Sequence, residues 1–405
     1  MSEIKEFDIC VIGAGASGCV AAINAKRQNR MLELCLIEKG NKILRKVIAS
    51  GNGRCNIANS SCEGIERLLL FFKTIGIFTV EEEEGRLYPY TKQSSAVVSS
   101  INTTFLGAGI KPVLNTSVTD VKRLKNGGFK LITSNDDVYV CKKLLIASGG
   151  KAAPAFGTTG DGYIFAKKLG HTIKTLMPVL TAINCEGDFE EMKGCRAEGE
   201  VTLYRNGEKI ASERGEIQFT ATGISGICVM NLSRLIKLDM SRGLETAFRE
   251  YTVKINFNPE MARQQMIWVL KELREFEGIK TEDIYMSLLQ KPIAKRVLTD
   301  AGIDLNKQPS ELTDEELKKI SRMYQNWSLQ VTGAKGWKYA QCTAGGVSLD
   351  EVDPETMESK LVPGLYFSGE VLDYDGPCGG YNLFNAWTTG LAAGKAMGQC
   401  IERRR

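Results

Sequence analysis

The sequence contains a single histidine, His171, and none of its twelve cysteines lies in a Cys-x-x-Cys pair. These absences remove the usual zinc-ligand spacings, the dithiol redox motif and any serine–histidine triad that spacing could indicate. Isolated cysteines are typical of reduced thiols in a cytosolic protein. We therefore expect no metal site and neither hydrolase nor dithiol chemistry.

Long apolar runs and strong net charge are also missing. The most apolar stretch, residues 68–80, is interrupted by Lys73 and Gly76, which leaves it too short to span a bilayer. Residues 1–7 are polar and lack the pattern of a signal peptide, so we expect a cytoplasmic protein without a transmembrane segment. With 52 basic and 48 acidic residues the net charge is only +4, which indicates no acidic polymer as an obligatory partner.

A β-α-β unit opens the chain. Short apolar runs at 8–12 and 34–37 predict strands, and small residues at helical spacing between them predict a helix, all within about 30 residues. Such a unit is typical of a doubly wound parallel sheet of the α/β class. Further strands are predicted near 113–121, 129–133 and 138–147.

The middle of the chain has a different texture. From about Cys185 short antiparallel strands are predicted, two of them joined by an Asn-Gly turn at residues 206–207. Residues 259–327 then have helical periodicity. Because the pattern of the first domain returns after residue 331, the nucleotide-binding domain is predicted to be discontinuous, with the middle third inserted into it.

A glycine fingerprint directly follows the first predicted strand. Gly13, Gly15 and Gly18 have the Gly-x-Gly-x-x-Gly spacing, in which the glycines allow a tight turn, approach of a pyrophosphate, and close helix-to-strand packing. Glu38, about 20 residues further on at the end of the second strand, can accept both ribose hydroxyls of an adenosine. A glycine turn beside a surface glutamate is the plain alternative, and NAD and FAD both satisfy the fingerprint.

The last fifth of the chain favours FAD over NAD. Gly369 and Glu370 end a predicted strand, where they can bind a ribityl chain. Gly379-Gly380-Tyr381-Asn382 opens a predicted helix over 386–397, whose N-terminal dipole can stabilise negative charge at flavin N1 and the C2 carbonyl. An enzyme that uses only NAD needs no such second site, although a bare strand-to-helix corner has the same sequence.

Five ordered motifs resemble the signatures of one flavoprotein family. They are Ser50-Gly51-Asn52-Gly53-Arg54-Cys55-Asn56, Gly157-Thr158-Thr159-Gly160-Asp161-Gly162, Gly223-Ile224-Ser225-Gly226, Cys342-Thr343-Ala344-Gly345-Gly346-Val347 and residues 364–375. The family is that of the aminoacetone-oxidase-like or BaiN-like (bile-acid reductase) enzymes, a branch of the two-dinucleotide-binding-domain flavoproteins. The resemblance extends from about residue 7 to residue 398.

The resemblance implies an α/β fold of three parts, with the substrate cleft where they meet. A discontinuous Rossmann-like FAD-binding domain would comprise residues 1–184 and 331–405. The insertion would form a β-barrel-like domain from 185–258 and an adjoining segment near 328–340, and a helical subdomain from 259–327.

Carried over residue by residue, the resemblance places the Ser50 to Asn56 loop beside the flavin, with backbone amides near N5 and O4. Asn52 stands where the family is expected to have glycine, which requires a left-handed backbone that asparagine tolerates. Ser148 replaces the usual threonine of a second FAD signature, residues 144–150. The expected cofactor-binding residues are Gly13, Gly15, Ala16, Ser17, Gly18, Glu38, Lys39, Lys46, Ser50, Gly53, Arg54, Cys55, Asn56, Val118, Ala147, Ser148, Gly149, Gly369, Glu370, Asp375, Gly380, Tyr381 and Asn382.

No catalytic acid or base is identified, and the candidates are weak. Tyr88 and Tyr90 follow Arg86 in a segment that matches the family's Gly-Arg-x-Phe/Tyr-Pro pattern, and they could line the substrate cleft and donate to a carbonyl. An aromatic hairpin packed on the domain is the alternative. Cys55 has no resolving cysteine and no histidine near it in sequence, so a packed thiol is expected rather than a nucleophile.

Two neighbouring features receive plain interpretations. His171 follows a predicted helix, where we expect a C-terminal cap or a surface residue. The glutamates at 81–84 are expected to form a solvated face.

The reaction implied is hydride transfer through flavin N5, in one of two forms. A reductase would pass a hydride from NAD(P)H to the β-carbon of an activated alkene such as a steroid enone, whereas an oxidase would oxidise a small amine or aminoketone with O2. The middle third has no second Gly-x-Gly-x-x-Gly, which suits an oxidase or a reductase whose NAD(P)H shares the substrate cleft. We expect the reductase, acting on a small molecule.

Other classes of protein stay open as alternatives. An FAD-dependent tRNA-modifying protein would need a basic face with interleaved aromatics, whereas lysines here are mixed with acids, as at residues 315–319. A protein that keeps FAD but has lost turnover is the third possibility. No nucleic-acid or membrane partner is expected, and the oligomeric state is left open.

Overall fold

The computed structural model describes residues 4–238, 241, 243–276, 278–285 and 288–399, and the chain forms two compact units. The first comprises Met1–Pro178 and Gln341–Arg405, and the second comprises Val179–Ala340. The structure thus divides the chain at 178/179 and 340/341, where the sequence suggested 184/185 and 330/331.

The first segment of the chain alternates strands and helices. Its elements are β1 (Ile4–Ile12), α1 (Ala16–Gln28), β2 (Leu34–Ile37), α2 (Arg45–Ala49), β3 (Ala58–Asn59), α3 (Ile65–Thr74), β4 (Thr79–Glu81), β5 (Arg86–Pro89), α4 (Ser94–Ala108), β6 (Val118–Arg123), β7 (Phe129–Thr133), β8 (Val138–Ile146), α5 (Asp161–Lys168) and β9 (Met177–Val179).

The second unit holds strands and then helices. They are β10 (Ile183–Cys185), β11 (Arg196–Arg205), β12 (Glu208–Thr220), β13 (Gly223–Ser225), α6 (Ile227–Ser233), α7 (Leu244–Phe248), β14 (Tyr251–Asn256), α8 (Arg263–Arg274), α9 (Lys291–Asp300), α10 (Asp314–Gln325) and β15 (Trp327–Ala334). The chain then returns to the first unit with β16 (Cys342–Ala344), β17 (Leu365–Phe367) and α11 (Tyr381–Gln399).

The main sheet of the first unit has the strand order β2-β1-β8-β7-β6, and β17 also pairs with β8. Strands β2, β1, β8 and β17 are mutually parallel, with Ile12 opposite both Ile37 and Ile146. Because parallel strands end at one edge, the loops after these four strands meet there. The structure confirms the predicted doubly wound α/β domain.

Helices α1 and α11 pack unusually closely because small residues face each other. A Cβ added at Gly390 would lie 2.3 Å from the Ser17 carbonyl oxygen, and one at Gly394 would lie 2.4 Å from that of Ala21. Both glycines therefore allow backbone-to-backbone approach four residues apart, one helical turn along each partner. This contact holds the C-terminal helix against the fingerprint helix.

In the second unit the strands close into a barrel in the order β10-β13-β12-β11-β14-β15. Asn206 and Gly207, between β11 and β12, both have positive φ (50° and 86°), as the predicted Asn-Gly hairpin turn requires. Trp327 is fully buried and stacks on Phe219 and Phe257 at centroid distances of 6.1 and 6.0 Å. The barrel and helices α8 to α10 share one hydrophobic core, so they form one unit.

Within the described part of the chain, no helix is both long and apolar enough to cross a bilayer.

Candidate active site

Two of the three fingerprint glycines are required by contacts within the protein. Gly13 has φ +101°, and a Cβ there would lie 2.5 Å from the Ala147 carbonyl oxygen. A Cβ at Gly18 would lie 1.9 Å from the Gly13 carbonyl oxygen. These residues therefore permit the tight turn between β1 and α1 and the close approach of β8.

Gly15 differs from both of its partners. Its φ of −79° and ψ of −166° are open to any residue, and a Cβ there would meet no atom within 4 Å. Gly15 is also the N-cap of α1, and no side chain caps this helix end. The protein's own packing does not explain this glycine, whereas a phosphate bound at the first N–H groups of α1, near Ala16 and Ser17, would.

Glu38 lies at the end of β2 with its carboxylate directed at the fingerprint turn. Its two oxygens accept hydrogen bonds from the backbone N–H groups of Ala14 (2.8 Å) and Gly40 (2.7 Å). An ionised carboxylate offers about four acceptor sites, so ribose hydroxyls can still be bound. Lys39 instead contacts the Thr159 hydroxyl (2.6 Å) and Asp161 (2.7 Å).

Val118, another of the predicted cofactor-binding residues, begins β6 and is buried. It lies two residues beyond Thr116, whose N–H donates to the Glu38 carbonyl oxygen at 3.0 Å. The structure therefore brings the Val118 segment to the same strand end as Glu38.

The loop after α2 has a left-handed backbone at several successive positions. Gly51, Asn52 and Gly53 have φ of 57°, 55° and 83°, and Cys55 has φ 59°. Asn52 thus adopts the left-handed conformation that its presence in place of glycine demands. The buried Cys55 thiol has its pKa raised to about 12 by burial, so it is a protonated packing group rather than a nucleophile at neutral pH.

Arg54 connects this loop to the small sheet formed by β3, β5 and β4. Its guanidinium lies 4.1 Å from the centroid of the Tyr88 ring and 2.5 Å from Glu82. Tyr88 is buried, whereas Tyr90 is 74% exposed. The two tyrosines therefore have different surroundings, and only Tyr90 has a freely accessible ring.

The glutamates at 81–84 form a largely exposed face, as the sequence predicts, and two of them also form ion pairs. Glu82 accepts from both Arg54 and Lys92, and these two cations lower the pKa of Glu82 to about 2. Glu84 forms an ion pair with Arg86. Glu82 therefore connects Arg54 of the loop to Lys92, whereas the Glu84–Arg86 pair lies at the turn between β4 and β5.

The expectation for His171 is wrong as regards its side chain. Its backbone N–H does cap α5 by donating to the Ala166 carbonyl, but the imidazole is only 3% exposed. The ring lies 2.7 Å from the Ser359 hydroxyl and packs edge-on against Phe367 at 4.8 Å between centroids. Burial lowers the pKa of His171. The contact with a strand almost 200 residues away could not be read from local sequence.

Two predicted cofactor residues have a buried polar atom without a hydrogen-bond partner. They are Asn56 (Oδ1) and Ser148 (Oγ); the other such atoms among the described residues are Ser368 Oγ, His171 Nδ1 and Ser321 Oγ. A buried polar atom left without a partner costs about 1–3 kcal/mol, so such atoms call for a ligand or water. Asn56 belongs to the loop after α2, and Ser148 follows β8 beside Ala147 and Gly149, as a polar ligand across the strand ends requires.

Lys46 and Glu370 form an ion pair between α2 and the loop after β17. The Lys46 Nζ lies 2.6 Å from Glu370 Oε2, and the Thr343 N–H donates to Glu370 Oε1 at 2.9 Å. Burial by itself would lower the pKa of Lys46, but the Glu370 carboxylate outweighs that effect and raises the pKa. The ammonium therefore stays charged at neutral pH. Gly369, the residue before Glu370, has φ +76°, a left-handed conformation that favours glycine.

The N-terminus of α11 lies against β3. A Cβ at Gly380 would lie 2.3 Å from the Ala58 carbonyl oxygen, which explains the glycine. The Asn382 side chain bonds to the Gly376 N–H (2.8 Å) and carbonyl (2.9 Å), so it orders the preceding turn. Tyr381 and Ser61 share a hydrogen bond of 2.9 Å. Asp375 lies in that turn and is partly exposed.

Sequence reasoning missed three residues that organise these loops. Thr343 and Thr158 belong to two of the family motifs, but the sequence predicted no individual role for them or for Tyr163. The Tyr163 hydroxyl donates to the Glu370 carbonyl oxygen at 3.1 Å, and both threonines hold the segment after β8. For the two threonines the sequence signal was their place within the family motifs, whereas Tyr163 lies one residue beyond the second motif.

Taken together, the open space at Gly15, the directed carboxylate of Glu38 and the unpartnered polar atoms of Asn56 and Ser148 fit a dinucleotide cofactor at the ends of the parallel strands. A site of this kind on a doubly wound sheet, with a glycine-rich start of a helix near residue 380, is typical of FAD-dependent oxidoreductases.

The chain belongs to the family described as HI0933-like protein Rossmann domain, whose model matches residues 64–396. It is 32% identical over 412 residues to the 3-dehydro-bile acid delta(4,6)-reductase of Clostridium scindens, covering 96% of this chain and 99% of that protein. It is 27% identical over 417 residues to a ribosomal RNA dihydrouridine synthase of Haemophilus influenzae, covering 97% and 98%. The protein is an FAD-dependent oxidoreductase of this family.

Among solved structures, the fold is similar to that of the quinol fumarate reductase FrdA of E. coli. The TM-score is 0.50 at 12% identity, over 98% of this chain and 70% of that one. At this identity the likeness concerns the fold alone.

Proposed function

We propose that the protein reduces a carbon–carbon double bond conjugated to a carbonyl in a small molecule of the steroid or bile-acid type, with NAD(P)H as the electron donor. The observation that carries this proposal is the 32% identity to a bile-acid delta(4,6)-reductase over nearly the whole of both chains. In the balanced reaction a hydride and a proton add across the double bond, and NAD(P)H becomes NAD(P)⁺. Bound FAD would supply hydride acceptance and donation at N5.

The residues of the chain support this chemistry by binding and orientation. We assign the FAD pyrophosphate to the N-terminus of α1 at Gly15, the adenosine ribose to Glu38, and the flavin end to the loop from Ser50 to Asn56. The Lys46–Glu370 ion pair would hold the neighbouring segments in place. The helix start at Gly380 would add positive potential beside the flavin end. Positive potential there favours the reduced, anionic flavin.

The proton donor is assigned on accessibility. Tyr88 is buried beneath the Arg54 guanidinium, whereas the exposed Tyr90 can present its phenol to a substrate carbonyl. We therefore place Tyr90 ahead of Tyr88 as the candidate acid.

Anaerobic reduction of the bound flavin tests the proposal. Purified protein is mixed without oxygen with NADH or NADPH, and then a 3-oxo-4,6-diene bile acid is added to the bleached enzyme. We expect the nicotinamide to bleach the visible flavin absorbance and the diene to restore it. A saturated 3-oxo bile acid serves as the matched control and should restore nothing. Bleaching by an aminoketone, but by neither nicotinamide, would support the oxidase instead.

A second candidate substrate is a uracil ring in ribosomal RNA, because two relatives carry that name at 27% and 26% identity over nearly full length. The same chemistry applies, since formation of dihydrouridine also saturates a double bond conjugated to a carbonyl. One surface turn supports it: Tyr339 is 62% exposed, with the ammonium groups of Lys335 and Lys338 at 5.9 and 5.6 Å from its ring centroid.

Unmodified ribosomal RNA transcribed in vitro separates the two candidates. If RNA is the substrate, NAD(P)H and enzyme should form dihydrouridine, and binding should weaken steeply with added salt. The Lys335→Gln and Lys338→Gln double variant should then bind RNA more weakly, while its reduction of a steroid enone stays unchanged. If the enzyme neither forms dihydrouridine nor binds the RNA, the result supports the small-molecule substrate.

A further inference from the structure

One motif that the cofactor assignment does not use is Cys342-Thr343-Ala344-Gly345-Gly346-Val347. Within it Thr343 is completely buried. Its hydroxyl oxygen accepts hydrogen bonds from the backbone N–H groups of Lys151 (2.8 Å) and Ala152 (3.0 Å). Two donors from the loop after β8 therefore converge on one side-chain oxygen from the start of β16.

The main chain of the same residue contacts a second segment. The Thr343 N–H donates to Glu370 Oε1 at 2.9 Å, and the other oxygen of Glu370 lies 2.6 Å from Lys46 Nζ. A Cβ added at Gly150 would lie 2.4 Å from Thr343 Oγ1 and 2.7 Å from Glu370 Oε1. The three segments thus meet with no room for a further methyl group.

The loop after β8 is also held from its other side. The Thr158 hydroxyl lies within hydrogen-bond distance of the Ala152 and Ala153 carbonyl oxygens, at 2.5 and 3.0 Å. Ala153 has φ +56°, a left-handed conformation that alanine adopts only under constraint. Two threonines from two different motifs therefore fix a strained loop next to Ser148 and Gly149.

We propose that Thr343 is a positioning residue for FAD: through its hydroxyl it fixes the loop after β8, and through its N–H it fixes the carboxylate of Glu370. This inference rests on the assignment of Ser148, Gly149, Glu370 and Lys46 to the cofactor site. Thr343 itself is buried behind these residues. Its effect on the cofactor is therefore exerted through the groups that it orients.

Replacement of the hydroxyl by a methyl group tests the role of Thr343. Thr343→Val keeps the shape and the backbone N–H but leaves the N–H of the buried Ala152 without an acceptor. The loop after β8 then loses the contact that holds it beside Ser148 and Gly149, so the Kd for FAD should rise about tenfold, which corresponds to about 1.4 kcal/mol of binding free energy. Thr343→Ser restores the acceptor and should keep the Kd within about twofold of the wild type. The Kd is measured by fluorescence titration of the deflavinated protein with FAD.

Thr133→Val is the matched control. Thr133 is also a buried threonine of the first unit, and its hydroxyl bonds to the Asp137 carbonyl oxygen at 3.3 Å, in the hairpin between β7 and β8. The Thr133→Val variant should be less stable than the wild type, while its Kd for FAD stays unchanged. Gly150→Ala provides a second perturbation of the same junction, should Thr343→Val not fold, and should also weaken FAD binding.

An unchanged Kd in Thr343→Val, or an equal loss of affinity in Thr133→Val, would overturn the proposal. So would failure of Thr343→Ser to restore both the affinity and the wild-type flavin spectrum. The titration uses neither a nicotinamide nor an alkene. A wild-type protein that binds FAD but reduces no enone would therefore refute the proposed function and leave this test valid.

Discussion

Gly15 and Gly18 belong to the same fingerprint, yet the structure predicts opposite consequences when each is replaced by alanine. At Gly18 the new methyl group would lie 1.9 Å from the Gly13 carbonyl oxygen, inside the contact between α1 and β1. At Gly15 it would point into space that contains no protein atom within 4 Å. One substitution therefore disturbs the protein, and the other disturbs only what binds to it.

The magnitudes follow from the two environments. Gly15 has an ordinary backbone conformation, so alanine there restricts the unfolded chain and should stabilise the apoprotein by about 0.4–1 kcal/mol. At Gly18 the crowded methyl group forces a backbone shift, which costs about 1–3 kcal/mol. For FAD the order reverses, because a methyl group at Gly15 would occupy the place that we assign to the pyrophosphate. We expect Gly15→Ala to weaken FAD binding on the order of a hundredfold, or about 2.7 kcal/mol.

Urea unfolding of the deflavinated proteins and FAD titration of the folded ones measure both effects on the same preparations. Gly15→Ala should unfold at or above the wild-type urea concentration and bind little FAD, and Gly18→Ala should unfold earlier. The reasoning is refuted if Gly15→Ala binds FAD like the wild type. It is equally refuted if the two variants lose the same stability, since the glycines would then share one structural role.

Three further outcomes are expected. Burial lowers the pKa of His171 in the folded protein below its ordinary value of about 6.5. As the pH falls below about 6.5, the unfolded state therefore protonates this residue before the folded state does, and the free energy of unfolding should decrease. An NMR titration of this single histidine measures its pKa in the folded protein, and a pKa at or above 6.5 would contradict the prediction. Iodoacetamide at neutral pH should alkylate the partly exposed Cys378 and leave Cys55, with its pKa of about 12, intact by mass spectrometry. Gly394→Leu should lower the melting temperature far more than a leucine at the exposed Gly107, because its side chain meets the Ala21 backbone.

Local patterns were sufficient for the nucleotide-binding core. Gly13, Gly15, Gly18 and Glu38 could be assigned because a strand, a turn and a helix within about 40 residues determine their geometry. Such features depend on neighbours in sequence, so they can be read from sequence. The left-handed backbone of Asn52 was implied by the family resemblance, in which glycine is expected at this position, and the structure confirms it.

Other features depend on neighbours in space. His171 was expected to be a helix C-terminal cap or a surface residue, and its imidazole is buried against Phe367. The exposed glutamates were expected, but their ion pairs with Arg54 and Arg86 were not. Helical or strand periodicity reports which face of an element is apolar, but not which distant side chain packs on it.

The amino-acid sequence by itself determined the doubly wound class, the discontinuous nucleotide domain and the glycine turn between β1 and α1. The tertiary structure alone decided which glycine is needed for packing and which leaves room for a ligand. It also decided that Lys46, Thr343 and Glu370 meet, although more than 300 residues separate the first from the last. The physical reason is that turn and helix formation are governed by local backbone sterics, whereas these contacts form when the parallel strands end at one edge of the sheet.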